Sequence, residues 1–234
     1  EQAAKKYTAD TFDSAITWLV TAKDSELTQA VGDLPVFAKK EAFLSPPRLD
    51  TEGHLVTVGP SLLTPIVNTD LVKPGDEPRS WLDLLDPKWR GKMGMDAPTS
   101  STLLIYVYMV RSALGLDEEY FRKLARQDLK VYASSREPPR ALANREIHLV
   151  VTGGQVIAGP LAKEGAPLRA VAMKEGAVDS GGSTIALVRN APHPNAARVY
   201  INWLLSAAGQ RVYAEARGIM VFRKDVPDFT PAGL

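Results

Sequence analysis

The 234-residue sequence contains no cysteine, so disulfide bonds and thiolate chemistry are excluded. It has three histidines, His54, His148 and His193, which lie far apart along the chain and show no spacing typical of a metal site. Neither sign of charge is in excess, because 28 basic residues face 27 acidic ones. We therefore expect no metal, no cofactor and no nucleic-acid partner.

Long hydrophobic runs are also missing. The most apolar run, Leu103–Val110, is followed by Arg111 and is far shorter than the ~20 residues that a membrane-spanning helix needs. The first residues, EQAAKKYTAD, lack the apolar core of a signal peptide. We find no Ser-His-Asp or Cys-His arrangement, no closely spaced carboxylate pair on a loop and no Gly-rich nucleotide motif, so an enzyme is not expected.

The stretch Arg79–Thr102, RSWLDLLDPKWRGKMGMDAPTSST, organises the rest of the chain. It begins with a turn-rich segment containing two tryptophans, continues through a short strand predicted at Lys92–Met95, and ends in hydroxyl side chains that introduce a helix from about Ser101 to Leu114. Backbone N–H groups and the helix dipole favour an anion at such a strand-to-helix loop.

This stretch resembles the solute-binding proteins of ABC importers, in particular the ferric-iron and phosphonate group, through SW-x-DLLDPKWRGK-x-x-M-D-x-P. Leu62–Val72 and Gly181–Gln210 resemble two further segments of the same family. The resemblance implies the α/β fold of type II periplasmic binding proteins, with two α/β lobes joined by two extended hinge crossings. Lobe 1 would comprise residues 1–66 and 184–234, and lobe 2 residues 67–183. The family resemblance also implies a periplasmic location and a partner permease in the membrane.

The family normally opens with a strand, a helix and a second strand, and this sequence has no counterpart to them before Tyr7–Phe12. We therefore expect a first lobe that is N-terminally incomplete. An unpaired sheet edge would follow, and it predicts self-association through that edge. A truncated descendant of the fold without transport function is one alternative.

Polar residues at the predicted strand ends are the candidate ligand contacts. Asp13 and Ser14 follow the strand predicted at Tyr7–Phe12, where the alternative to a ligand contact is an ordinary helix cap at Ser14, and caps are more common than ligand contacts. Arg136 suits bidentate binding of a carboxylate or phosphate, although a solvated surface arginine is an equal alternative. Gly153 and Gly154 would let backbone approach a ligand. The full predicted ligand-binding set is Asp13, Ser14, Thr99, Ser100, Ser101, Ser134, Ser135, Arg136, Gln155, Asp179 and Ser180.

Iron-binding members of the resembled family hold the metal with two adjacent tyrosines, and the matching stretch here, TGGQVIAGPLAKEG, contains none. The predicted set is instead rich in neutral donors, which suit an oxyanion. We predict capture of a phosphonate, phosphate ester, carboxylate or anion-chelated metal for an ABC importer. A ferric-iron member with a site that lacks the tyrosine pair stays as a second alternative.

Three helical segments are also predicted. Glu1–Lys6 is interpreted as the end of a helix, and Glu26–Val31 as a helix that stops at Gly32. In the helix that begins near Pro194, apolar residues recur at helical spacing, which predicts that this face packs into the core. They are Ala196, Val199, Tyr200, Trp203 and Leu204.

Overall fold

The computed structural model describes residues 8–44 and 49–234, so the predicted helix end at Glu1–Lys6 lies outside the described residues. The chain divides into two compact units. Unit 1 comprises Glu1–Pro60 with Gly181–Phe229, and unit 2 comprises Ser61–Ser180 with Thr230–Leu234. No helix in the described part of the chain is long and apolar enough to cross a membrane.

Short strands and helices alternate along much of the chain. The strands are β1 Thr11–Ala15, β2 Thr28–Gln29, β3 Leu55–Gly59, β4 Leu62–Leu63, β5 Ile66–Asn68, β6 Met93–Asp96, β7 Lys130–Tyr132, β8 Leu149–Val150, β9 Leu168–Ala170, β10 Val178–Asp179 and β11 Ser183–Val188. The α-helices are α1 Ile16–Asp24, α2 Ser101–Leu114, α3 Glu118–Ala125, α4 Glu137–Ala143, α5 Gln155–Lys163, α6 Pro194–Leu204 and α7 Ala207–Arg217.

Unit 1 is built around β11, which pairs antiparallel with β1, β2 and β3. Successive side chains of a strand point to opposite faces, so β11 contributes to two clusters. Ile185 and Leu187 pack in a core that includes Ile201 of α6. Ala186 packs with Leu55 and with Leu19 of α1. The two helices therefore cover opposite faces of the sheet.

Two predictions at the start of unit 1 are wrong. Asp13 and Ser14 lie within β1 rather than in a loop after it, because the strand begins at Thr11 and pairs with β11 as far as Ala15. Helix α1 begins after Ala15, without a side-chain cap. The helix predicted at Glu26–Val31 is absent, since Glu26 adopts a left-handed φ of 56° and the chain continues into β2.

The predicted core face of α6 is also wrong in most positions. Val199, Tyr200 and Trp203 are 70%, 45% and 41% exposed, and Ala196 is exposed as well. The buried residues of the helix are Ala197, Ile201 and Leu204, so Leu204 is the only predicted one of the five that is buried. The helix carries apolar residues on two faces. The face with Ala197, Ile201 and Leu204 is buried against the core that includes β11.

Unit 2 contains a five-stranded sheet with the order β7-β6-β8-β5-β9. Strand β6 is parallel to β7 and β8, whereas β5 is antiparallel to β8 and β9. The organising stretch packs into this core, where Trp81 is fully buried and Trp89 is 4% exposed. The predicted helix from Ser101 to Leu114 is confirmed as α2, and Gly115 ends it with a left-handed φ of 64°.

A separate antiparallel pair, β4 with β10, joins Leu62–Leu63 to Val178–Asp179 next to two of the three points where the chain passes from one unit to the other. These points follow Pro60 and Ser180. The last five residues, Thr230–Leu234, belong to unit 2, whereas the sequence analysis assigned the whole C-terminal segment to lobe 1.

Candidate functional site

The loops after β6, β7 and β8 lie along one edge of the sheet in unit 2. These strands are parallel, so their carboxyl ends share an edge, and α2, α4 and α5 begin there. The structure thereby brings together Thr99–Ser101, Ser134–Arg136 and Gly153–Gln155. The edge is the strongest candidate site in this unit.

A buried carboxyl group, Asp96, ends β6 directly before the first of these loops and is only 1% exposed. The Ser100 hydroxyl donates to Asp96 Oδ2 at 2.9 Å, and the Thr152 hydroxyl donates to Oδ1 at 3.4 Å. Burial raises the pKa of Asp96, although hydrogen bonds from Ser100, Thr152 and Thr102 act in the opposite direction. Asp96 was not among the predicted ligand-binding residues. An acidic side chain at the end of an apolar strand is the sequence feature that could have identified it.

Asp96 changes what the α2 N-terminus can bind. Ser100 is the N-cap of α2, and its hydroxyl accepts from Thr102 N at 3.2 Å while it donates to Asp96. The Ser100 hydroxyl therefore already has both a donor and an acceptor partner. The carboxyl group of Asp96 lies at the helix N-terminus, the position where the helix dipole would attract an anion. Thr99 and Ser101 make no side-chain hydrogen bond to other described residues.

The loop before α4 contains a positively charged residue, Arg136, at this edge of the sheet. Ser134 Oγ accepts from Arg136 N at 3.3 Å and so stabilises the turn. Arg136 is exposed, and within the described ranges its guanidinium has neither an acidic partner nor a hydrogen bond. Ser135 is half-buried beside it. This loop therefore offers a free positively charged donor, which the α2 loop lacks.

The loop before α5 serves internal packing. A Cβ at Gly153 would lie 2.4 Å from Ile66 Cγ1 and 2.8 Å from the carbonyl oxygen of Thr64, so Gly153 is needed for close contact with neighbouring chain. The side-chain amide of Gln155 donates to the carbonyl oxygen of Leu234. The structure thus gives both residues roles within unit 2.

The predicted residues Asp179 and Ser180 lie apart from these loops in the chain. Asp179 pairs with Leu62 in the β4–β10 ladder. The backbone N–H and the hydroxyl of Ser180 both donate to the carbonyl oxygen of Ser61, at 2.9 and 2.8 Å. Ser180 therefore connects the two crossing segments to each other.

Unit 1 contains a second polar cluster, made by β1, β11 and α7. The Ser183 hydroxyl donates to Asp13 Oδ1 at 3.1 Å, and Ser14 lies opposite Thr184 in the neighbouring register. The Cζ atom of Arg217 lies 4.6 Å from the ring centroid of Tyr213.

The Tyr213 phenol is mainly influenced by burial, which raises its pKa. Ser183 and Arg217 lower this pKa, whereas the charges of Asp13 and Tyr200 raise it. Sequence analysis missed Tyr213 and Arg217, although their spacing of four residues places them on one face of a helix.

No three His, Asp or Glu side chains among residues 8–44 and 49–234 are grouped so that they could hold a metal ion. His148, for example, lies in a half-buried position where burial and the charge of Lys92 lower its pKa. The polar groups of the two clusters are hydroxyls and guanidinium groups, which donate hydrogen bonds, and carboxylates, which accept them.

Comparison with solved structures identifies the fold. Iron-bound HitA from Pseudomonas aeruginosa is 21% identical, with a TM-score of 0.75 over 97% of this chain and 76% of that one. The periplasmic binding protein AfuA from Actinobacillus pleuropneumoniae, with fructose-6-phosphate bound, is 20% identical, with a TM-score of 0.75 over 93% and 70%. The ferric binding protein from Campylobacter jejuni is 19% identical, with a TM-score of 0.74 over 95% and 74%. The predicted α/β type II periplasmic-binding-protein fold is confirmed.

No curated protein sequence matches the chain significantly. A family model described as bacterial extracellular solute-binding protein matches residues 1–232, which is nearly the whole chain. The chain therefore belongs to the bacterial extracellular solute-binding proteins, the family of binding proteins that serve ABC importers.

Proposed function

We propose that this protein captures a small anionic solute in the periplasm and delivers it, chemically unchanged, to an ABC permease. The observation that carries the anionic class is Arg136, a guanidinium without an acidic partner in the described part of the chain, at the carboxyl-end edge of the sheet in unit 2. Arginine presents a planar fork of donors that matches a carboxylate or phosphate group.

Asp96 supports a particular position for the anionic group. A carboxylate already occupies the favourable position at the N-terminus of α2, and a second negative charge there would be repelled. We therefore expect the acidic group of the solute at Arg136 and Ser135. Thr99 and Ser101 would contact its neutral polar parts.

The solved relatives hold different ligands, iron in HitA and fructose-6-phosphate in AfuA. The present chain lacks tyrosine in the stretch that follows Thr152, from Gly153 to Gly165, and instead offers neutral donors and an arginine. This composition favours a phosphate ester, a phosphonate, a carboxylate or an anion-chelated metal over a bare ferric ion.

Calorimetry and thermal unfolding with fructose-6-phosphate, methylphosphonate, citrate and ferric citrate test the proposal. Binding to the native state alone stabilises by about 2.7 kcal/mol at a ligand concentration of 100 Kd, so at least one oxyanion should raise Tm. Arg136→Gln should abolish most of this shift. Arg140→Gln is the matched control. Arg140 is exposed on α4, one turn after Arg136, and this variant should keep the ligand-induced rise in Tm.

Other outcomes would contradict the proposal. Tyrosinate-to-iron colour without any response to anions would indicate a ferric-iron protein. If none of the four ligands binds in calorimetry or raises Tm, the protein would be a descendant of the fold without transport function. Conversion of fructose-6-phosphate during incubation would show that the protein is an enzyme.

We also propose self-association through the outer edge of β1, which pairs only with β11 among the described residues. Phe12 on this strand is 40% exposed. Unpaired strand edges favour pairing with another chain. Light scattering should detect a dimer that Phe12→Lys weakens, and a strict monomer at high concentration would exclude it.

A further inference from the structure

The hydroxyl of Tyr213 in unit 1 is buried, yet it forms no hydrogen bond of good geometry to any described residue. Ser183 lies close enough to lower the pKa of the phenol. The Ser183 hydroxyl donates to Asp13, and its contact with the Tyr213 hydroxyl does not have hydrogen-bond geometry. A buried polar group without a partner is costly, and such groups are rare in folded proteins. Its presence beside other polar groups indicates a donor that a ligand would satisfy.

Arg217 provides a positive charge next to this phenol. Its guanidinium stacks on the Tyr213 ring and has no ion pair or hydrogen bond within the described ranges. Stacking fixes the plane of the guanidinium and leaves its edge of N–H donors free. Because burial raises the pKa of Tyr213, the phenol keeps its proton at neutral pH and is a donor as well.

Asp13 adds an acceptor to these two donors. It is exposed, it receives the Ser183 hydroxyl at 3.1 Å, and its charge acts on Tyr213. A carboxylate can accept several hydrogen bonds, so Asp13 keeps lone pairs for a hydroxyl group of a solute. It would also repel a solute that offers only negative charge.

We propose that Arg217, Tyr213 and Asp13 form a recognition site for a hydroxylated oxyanion, such as a sugar phosphate or a hydroxycarboxylate. Arg217 and Tyr213 bind the acidic group, and Asp13 accepts from a neighbouring hydroxyl. The inference rests on the proposed function, because it narrows the proposed small anionic solute to one that also carries hydroxyl groups. All three of these residues belong to unit 1.

The test compares matched ligands that differ in hydroxyl groups. Citrate is compared with tricarballylate, which lacks its hydroxyl, and fructose-6-phosphate with methylphosphonate. Tyr213→Phe and Arg217→Gln should each weaken citrate or fructose-6-phosphate binding by about tenfold or more. Asp13→Asn should reduce the preference for the hydroxylated member of each pair.

Two controls separate binding from folding. Arg211→Gln removes another arginine of α7, one whose Cζ lies 5.9 Å from the Phe229 ring centroid, and should leave affinity within about twofold. Tyr213→Phe removes an unpartnered hydroxyl and should leave Tm of the ligand-free protein unchanged or slightly raised.

The outcomes distinguish this inference from the proposed function. If wild-type protein binds a hydroxylated anion and the Tyr213 and Arg217 variants bind it equally well, the inference is wrong while the proposed function holds. An iron–tyrosinate band with ferric citrate that Tyr213→Phe removes would make Tyr213 a metal ligand, and this would overturn the inference.

If wild-type protein binds no member of the panel, the proposed function fails and a direct measurement decides the inference. About 50 mM inorganic phosphate, enough to occupy a site of millimolar dissociation constant, should shift the NMR signal of the Arg217 side-chain N–H selectively over that of Arg211. Equal shifts, or none, would exclude a site at Arg217.

Discussion

The two units treat buried hydroxyl groups in opposite ways. At the α2 N-terminus of unit 2, Ser100 and Thr152 both donate to Asp96, so each hydroxyl has a partner within the chain. In unit 1 the Tyr213 hydroxyl is buried and has no hydrogen-bond partner among residues 8–44 and 49–234. The comparison teaches that a hydroxyl-rich strand-to-helix loop does not by itself indicate a ligand site. What matters is whether the folded chain has already satisfied the donors.

The largest expected effect tests how tightly the edge of unit 2 is packed. Gly153→Ala should lower the free energy of unfolding by about 3 kcal/mol, because a Cβ would overlap Ile66 and the Thr64 carbonyl. Gly154→Ala is the control and should cost less than about 0.5 kcal/mol, since its nearest contact, Leu63 Cδ2, would be 3.5 Å away. Urea unfolding measures both.

If Gly153→Ala proved as stable as the wild-type protein, the edge would have spare room. The glycine would then be available for a ligand, as the sequence alone suggested.

A smaller effect is expected from the cap of α2. Ser100→Ala should destabilise the protein by about 2 kcal/mol, because it removes an N-cap and one hydrogen bond to a buried carboxyl group. Ser101→Ala should change stability by less than about 0.5 kcal/mol. Equal losses in the two variants, measured by thermal unfolding, would mean that the Asp96 network does not hold this end of the helix.

The buried hydroxyl groups of Tyr120 and Tyr213 give a direct comparison of the units. Tyr120 OH donates to the carbonyl oxygen of Trp81 at 3.1 Å and lies 3.0 Å from Tyr106 OH. Burial raises its pKa to about 12. Tyr120→Phe should therefore cost about 1 kcal/mol, whereas Tyr213→Phe should cost nothing measurable. A clear loss in Tyr213→Phe would show that this hydroxyl has a partner in the ligand-free protein.

The smallest effect is a change in pH dependence. The pKa of Asp96 in the folded state is raised above its ordinary value of 3.8, so its contribution to stability is fully present below that value and is lost as pH rises through the raised pKa. Asp96→Asn cannot titrate. The stability of wild-type protein relative to this variant should therefore fall as pH rises from about 4.

Urea unfolding at a series of pH values measures this difference. A constant difference between wild type and Asp96→Asn across the acidic range would mean that the carboxyl group is not perturbed by the fold.

Much of the architecture could be predicted because local chemistry decides it. Pro, Trp and Leu in the stretch from Arg79 favour a packed turn region, and Ser100 and Gly115 are residues that begin and end a helix. The sequence also predicted that polar residues follow the ends of strands, and the parallel pairing of β6 with β7 and β8 places three such loops at one edge.

The errors have a common physical origin. Asp13 and Ser14 are short polar residues typical of loops, but hydrogen bonds to β11 keep them in a strand. Helical spacing identified an apolar face of α6, yet the helix has two, and contact with the sheet decided which one is buried. In each case partners distant in sequence outweighed local preference.

The sequence by itself determined the family, the α/β class, the order of the main elements of unit 2 and the position of α2. These follow from side-chain chemistry within short stretches and from a signature that runs along the chain. Only the tertiary structure decided that Asp96 accepts from Ser100 and Thr152, while the Tyr213 hydroxyl and the Arg217 guanidinium have no hydrogen-bond partner among the described residues. Burial and hydrogen bonding depend on which distant residues meet, and the order of residues does not state this.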